Sequence, residues 1–506
     1  MGPEELIHEH SGLKENRANH ETTWEKIASL IWPAYRHTFT GRPLEGERKD
    51  QNIYDPTAVL ALQKATAVVD SLLTPRNARW HRFTSDIDQE YMDEVLDLLF
   101  KHRYASTASF ASQNHQTISS SLAFGNGVTF IDSYDEGPGF RYLSVPLGSC
   151  YFDENHQGII DRLFRSFMFT GRQMKQKWEG DYDDKRKYEV VHATFPNKQW
   201  DRERIDSFKY SSVYLDVASK KVLSESGYST FPYAVSRYFQ SPGQVYGYGP
   251  AGTVLSSIET LNEEKKTMLR TGQKTVDPIL LTHDGGILDV VSSFPGTVVP
   301  GGVNSQGRAL VHALPTGSLV AGEAMMAIEQ AHINDAFLIN MFQILVETPT
   351  MTATEVLERT REKGILLTPS LGRQEAYLGA LIEREVDLGY RNAMFPPIPR
   401  EILDAGGDYE IKYESPLSRI QKTEEASGLM RTLEFGVNYA LQTQDMSPLD
   451  HFNMDAIIPD LSDINAVPAK WMNDVEKIAA ARDARNKQAQ MDQLVAAAPA
   501  LSSLAK

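Results

Sequence analysis

Between Trp24 and Leu73 apolar residues recur three and four positions apart. Trp24, Ile27, Ala28, Ile31 and Trp32 fit one helix, which Pro33 stops or kinks. Asp55 is a natural N-cap and Pro56 suits a first helical position, so Val59 to Leu73 predicts a second helix ended by Pro75. The stretch from Glu21 to about Leu122 is therefore mostly helical. From about Ala123 to Gln240 the period changes. The runs "VTFID", "GIIDRLFRSFMF", "YEVVHATF", "SSVYLDV" and "YAVSRYF" predict strands, and joins too short for helical crossovers make them antiparallel. Helical spacing returns at Gly249-Pro250 and runs to about Thr275. The segment from Asp277 to Gly317 is punctuated by "DGG", "FPG", "PGG", "NSQG" and "PTG", which implies a small β module. Ser318 to Val346 then predicts one helix about 43 Å long. A compact β insert thus joins the far ends of two long helices. Thr352 and Glu355 form a capping box for the next helix, leaving Glu347 to Met351 as a short loop. Further helices follow from about Leu371 to Arg391, from Pro416 (Ser415 as N-cap) to Leu441, and from about Pro468 to Ala497. The fold class is α+β, predominantly α.

The chain has 506 residues, 41% hydrophobic and 23% charged, so it can bury a sizeable core in two or three domains. Its formal charge of −16 argues against a sequence-independent DNA clamp, which relies on excess Lys and Arg. A single cysteine, Cys150, cannot form an internal disulfide and suits a reducing compartment; its "SCYF" context reads as a packed thiol. Met1 to His20 is polar and lacks the apolar core of a signal peptide. Leu6 stands where a myristoylation signal needs Ser or Thr. No run approaches the roughly 18 apolar residues of a membrane span, so a soluble protein made in a cytoplasm is expected.

Gly247-Tyr248-Gly249-Pro250-Ala251-Gly252 matches the G-x-G-x-x-G dinucleotide pattern. A helix follows it, but then comes a Gly/Pro-broken β insert in place of the parallel partner strand that cofactor binding needs. Helix-start chemistry explains Pro250 and its glycines better. His8 and His10 form an H-x-H pair with no further ligands, more simply read as surface residues. No catalytic, metal-ligating or cofactor-binding set emerges, and no enzyme activity is expected. The helix from Ser318 to Val346 carries Glu323, Glu329 and Asp335 and no Lys or Arg, for a net −3. The helix from Pro250 to Val276 is net +1, with Glu259, Glu263 and Glu264 against Lys265, Lys266, Arg270 and Lys274. Ordinary variation on solvated helices is one reading. The other is a wall that faces a polyanion without holding it, although acids six residues apart cannot share one stripe.

Taken in order, several segments resemble the portal (head-to-tail connector) proteins of short-tailed bacteriophages, the podovirus, T7-like type. These are "WEKIASLIWPAY", "DPTAVLALQKATAVVDSLLTPRNARWHRF" with its Leu73, Thr74, Pro75 and Trp80, and "SLAFGNGVTFID". They continue with "LSVPLGSCYFDENHQGIIDRLFRSFMFTGRQM", "VSRYFQSPGQVYGYGPAGTVLSSIETLNEEKKTML", "MTATEV" and "SPLSRIQKTEE". Together they span about 400 residues. The segment from about Ser447 to Lys506 carries no such signature.

The resemblance implies a portal fold of wing, stem, clip and crown, assembling as a ring around a central channel. Residues 1–249 would form the wing, 250–276 the first stem helix, 277–317 the clip and 318–346 the second stem helix. Residues 347–415 would hold the tunnel loop and wing helices, and 416–506 the helical crown. Glu323, Glu329 and Asp335 would line the DNA channel, and Glu347, Thr348, Pro349, Thr350 and Met351 would form the tunnel loop. Asp284, Gly285, Gly286, Pro295, Gly301, Gly302 and Arg308 would lie on the clip, which docks the motor and then the tail. The implied partners are eleven further copies in a homododecameric ring, double-stranded DNA, the terminase large subunit, tail adaptor or nozzle proteins, and major capsid and scaffolding proteins. No membrane is implied. The expected location is the portal vertex of the virion, after assembly in the host bacterial cytoplasm. A different virion ring protein, such as a tail adaptor, and a dinucleotide-binding enzyme are the alternative readings.

Overall fold

The computed structural model describes residues 2–40, 52–76, 79–84, 89–134, 137–201, 207–282, 303–315, 319–340, 374–400, 410–413, 416–443 and 451–464, with a few single positions besides. The chain divides into two compact units, Met1–Pro416 and Leu417–Lys506. The architecture is α+β, as the sequence indicates.

The first unit opens with α1 (Pro3–Leu30), which starts much earlier than the apolar spacing suggests. Pro3 and the acids Glu4 and Glu5 suit a first turn, and the Gly2 N–H donates to the Glu5 carboxylate at 2.9 Å. Leu6 and Leu13, seven residues apart, pack onto Tyr151, Phe164, Val191, Val213 and Leu215. Each such side chain, fully buried, contributes roughly 1.5–3 kcal/mol. Further along the same stripe, Arg17 is buried as well. Its Nη1 donates to the carbonyls of Leu147 (2.9 Å), Gly148 (3.0 Å) and Cys150 (2.8 Å), and its guanidinium lies 3.9 Å from the Tyr151 ring centroid. The N-terminal helix is thus fixed to the sheet by two leucines and one arginine.

That sheet is the antiparallel meander β4 (Cys150–Glu154), β5 (Ile160–Thr170), β6 (Lys187–Pro196), β7 (Tyr210–Asp216) and β8 (Lys221–Tyr228), in spatial order. A second sheet has the order β3-β2-β9, from β2 (Asn126–Ser133), β3 (Phe140–Ser144) and β9 (Tyr233–Arg237), again antiparallel. These strands bear out the antiparallel reading of the central region. A short helix α5 (Gly171–Lys177), capped by Thr170 and Gln173, breaks the β5–β6 connection.

Helices α2 (Thr57–Leu73), α3 (Gln89–Arg103) and α4 (Phe110–Phe124) complete the core of this unit. Asp55 Oδ1 accepts from the Thr57 N–H at 2.9 Å, so Asp55 caps α2 as its sequence indicates. Asn114, Thr117, Ser119, Ser120 and Ser121 are all buried on α4, and small hydroxyls let its backbone approach β2 closely. Each is satisfied: Thr117 Oγ1 meets Thr129 at 2.7 Å, Ser120 donates to the Asn126 carbonyl at 2.7 Å, and Ser121 meets Ser236 at 2.8 Å. A helix over residues 374–391, here α9, docks on this layer. Tyr377 donates to Asn114 at 3.0 Å, and Arg384 and Glu385 are buried there. Short strands β1 (His81–Thr84) and β12 (Glu410–Tyr413) pair beside it.

The second unit contains most of α10 (Pro416–Thr443) and α11 (Met454–Ile464). Of the helix expected from about Pro468 to Ala497, only positions 482 and 485 are described. No described helix is long and apolar enough to cross a membrane.

Candidate functional site

Two long helices and a pair of short strands form a region whose apolar surface is left uncovered among the described residues. The segment predicted as one helix from Pro250 is two: α6 (Pro250–Thr253), then α7 (Leu255–Val276) after a break at Val254. Asn262 on α7 is clamped from both ends of its amide. Its Oδ1 accepts from the Tyr54 N–H (2.8 Å) and its Nδ2 donates to the Asn52 carbonyl (2.9 Å). The apolar row Ile258, Leu261, Leu269, Val276 is buried at its start and exposed at its end, where Val276 reaches 88% exposure.

Helix α8 (Leu319–Ala336) packs against α7, tightly at Gly322, where a Cβ would stand 2.4 Å from Met268 Sδ. The single helix expected from Ser318 to Val346 is corrected here. Leu338 adopts φ +58° and its N–H bonds the Asp335 carbonyl at 3.0 Å, closing a turn that buries Phe337 and Ile339. Residues 341–346 of the expected helix lie outside the described residues. Met326 and Ile333 face inward, whereas Val320 (75% exposed), Met325 and Ile328 face out. Glu323 borders the groove beside Lys265, Arg270 and Lys274 of α7. Glu329 is half-buried with His332 Nδ1 3.6 Å away, and the exposed Asp335 accepts from Asn340 Nδ2 at 2.5 Å. The three acids therefore stand on three sides of α8 and form no common surface within one chain, as their six-residue step requires.

Between the helices, β10 (Leu280–Thr282) pairs antiparallel with β11 (Val311–Ala313), and Val303 bridges Ala309. The described part of this segment is thus the small β module its turn signals imply. Arg308 is exposed, in a turn where Asn304 Oδ1 accepts its N–H at 2.9 Å. Asp284, Gly285, Gly286, Pro295, Gly301, Gly302 and the loop Glu347, Thr348, Pro349, Thr350 and Met351 lie outside the described residues.

Two features here escaped sequence reading. Lys266, Arg270 and Lys274 are four residues apart and share one side of α7. Lys266 is occupied by Glu263 at 3.0 Å, while Arg270 and Lys274 are exposed. On α8 apolar residues fall on every side between the three acids, and that spread was the legible sign that the helix needs covering on more than one face.

Elsewhere the motifs prove structural. Gly125 holds φ +82° at the end of α4, and a Cβ there would lie 2.5 Å from the Gly247 carbonyl oxygen. One on Gly249 would lie 2.7 Å from the Leu122 oxygen. The G-x-G pattern is therefore a backbone-to-backbone contact. His8 is exposed. His10 packs edge-on to Tyr151 at 4.9 Å, and burial, aided by Lys14 and Arg17, lowers it to about 4. Cys150 is buried, and that burial pushes its thiol up to about 11.

Residues 4–472 match the family described as bacteriophage head to tail connecting protein. The chain belongs to that family, and it is a connector of head and tail, as its segments suggested. It is 27% identical to the portal protein of Salmonella phage epsilon15, over 99% of this chain and 94% of that protein. It is 25% identical to the probable portal protein of Bordetella phage BPP-1, over 96% of this chain and 91% of the other. Among solved structures, the virion of a native gene transfer agent particle is similar at TM-score 0.38 and 14% identity, covering 77% of this chain and 91% of that one.

Proposed function

We propose that the chain is the portal of a short-tailed phage. Twelve copies form a ring at one capsid vertex, and double-stranded DNA passes through it inward in packaging and outward in ejection. The ring docks the terminase large subunit first and tail adaptor or nozzle proteins later, with major capsid and scaffolding proteins around it. Assembly takes place in the host cytoplasm, and the role is mechanical rather than catalytic. Family membership over nearly the whole chain supports this reading, as does the portal identity of relatives matched from end to end. That near-complete match also favours a portal over a smaller tail adaptor. The Gly125–Gly247 contact accounts for the pattern on which the dinucleotide reading rested.

The observation that carries the ring is the uncovered apolar surface of α7 and α8. Val276, Val320, Met325 and Ile328 would be covered by the same helices of a neighbouring copy. Among the described residues β10 and β11 pair only with each other, and a two-stranded ribbon is marginal alone with edges that invite pairing, so it would gain from the same cover. In this assembly α7 and α8 are the stem, residues 277–317 the clip and 347–351 the tunnel loop. Residues 1–249 and the helices before 416 form the wing, and residues 416–506 the crown.

Glu323, Glu329 and Asp335 supply part of the negative charge around the channel, each from a different side of α8, which lets DNA slide without being held at fixed phosphates. A reconstituted packaging assay tests this. Replacing all three acids by Lys slows or stalls translocation, and unchanged packaging removes them from the mechanism. Deleting Thr348 to Thr350 leaves rings intact but lowers DNA retention; failure of the rings would make the loop structural.

A further inference from the structure

Helix α10 exposes apolar side chains on two sides. At 100° per residue, Met430, Leu433, Val437 and Leu441 share one stripe. Thr432, Phe435 and Tyr439 share another, roughly 180° away. On the first, Leu441 is 67% exposed, and Met430 and Val437 are exposed too; on the second, Phe435 is 72% exposed and Tyr439 is exposed beside it. A third side, with Leu429 and Gly436, is largely closed off from solvent, and the closure reaches Ala426, which falls on the aliphatic stripe between Leu433 and Val437. The fourth carries Arg431, Glu434 and Asn438, all exposed.

A surface helix of a self-sufficient unit has one apolar stripe, the one facing its core. A helix with a closed base, a polar outer face and two apolar flanks is made to stand between two others. The flanks also differ: one is aliphatic and bordered by Glu434, the other aromatic and bordered by Arg431. An isologous pair would set like against like and leave the second flank of each copy bare. A heterologous array covers both flanks of every copy, aliphatic against aromatic, and brings the two charges of opposite sign to the same seam.

We infer that α10 is an intersubunit helix, whose aliphatic flank seats against the aromatic flank of α10 in the next copy. The Leu417–Lys506 unit then contributes intersubunit contacts of its own. This rests on the ring assembly proposed above and names a second interface within it.

Cross-linking of the full-length chain tests it. Two double variants, V437C with F435C and V437C with Y439C, are treated with a short bismaleimide and run on a denaturing gel. The buried, poorly ionised Cys150 keeps the background low. The expected result is a ladder of covalent oligomers from at least one double variant, while each single variant stays monomeric. Imaged rings with no ladder from either pair would overturn the α10 contact and leave the ring standing. Covalent dimers from a single variant would mean like-against-like contact and would overturn it too. A wild-type chain that is monomeric before treatment would remove the ring, and this interface with it.

Discussion

Replacing Arg103 by Met would strip the countercharge from a carboxylate that no water reaches. Arg103, the last residue of α3, and Glu385 on α9 have no exposed side-chain surface. Arg103 Nε donates to Glu385 Oε1 at 2.9 Å, and Nη2 pairs with the other oxygen. Nη1 meets His81 Nε2 at 2.9 Å, and the guanidinium lies over Trp80 (4.5 Å) and Phe100 (4.8 Å). The Tyr142 hydroxyl donates to the same carboxylate. Breaking such a pair from one side costs about 3–5 kcal/mol, because the remaining charge stays buried and unpaired. A unit of the size of Met1–Pro416 unfolds with an entropy near 0.9 kcal/mol/K, so the melting temperature should fall about 3–6 °C. Adding Glu385→Leu to Arg103→Met removes the orphaned charge and should restore at least half of the loss. Scanning calorimetry reads both at fixed protein concentration, since melting coupled to the proposed assembly would depend on it. If the double variant melts as low as the summed single losses require, the pair is not coupled and the reasoning fails.

His192 is held neutral, with Nδ1 2.7 Å from the Tyr233 hydroxyl and Nε2 2.9 Å from Ser212 Oγ. Burial, then Lys177 and Arg165, lower it to about 3. The unfolded chain takes up that proton near pH 6.5, so stability falls by about 1.4 kcal/mol per pH unit between about 6.5 and 3. His192→Gln should flatten thermal stability against pH between 4 and 6, and equal slopes would refute the assignment. Gly125→Ala places a methyl against the Gly247 carbonyl at positive φ and should cost at least about 1–3 kcal/mol in urea titration; a loss below 0.5 would show that the contact relaxes. Arg17→Ala abandons three buried carbonyls and should free α1 from the sheet, seen as faster proteolysis near the N-terminus at unchanged cleavage elsewhere.

Much of this architecture is legible in the residues. Runs rich in β-branched and aromatic residues such as "YEVVHATF" became β6, and Asp55 caps α2 as its place before Pro56 suggests. The signs failed where tertiary contacts replaced local pattern. The first half of α1 offers only Leu6 and Leu13 as buried aliphatics, too few to register as a helix face, and its third anchor is a buried arginine. The turn at Leu338 carries neither Gly nor Pro, so nothing local announces that α8 ends before Val346. Charge counting singled out Glu323, Glu329 and Asp335. The exposed surface of the same helix also carries Val320, Met325 and Ile328, which charge counting passes over.

The central claim is that this chain closes into a ring. Negative-stain imaging of the purified full-length protein, with native mass spectrometry on the same sample, tests it most directly. The account requires closed rings near twelve subunits, with a central hole wide enough for duplex DNA. A monodisperse monomer or dimer at several salt concentrations would contradict it, and would leave the exposed faces of α7, α8 and α10 without an explanation.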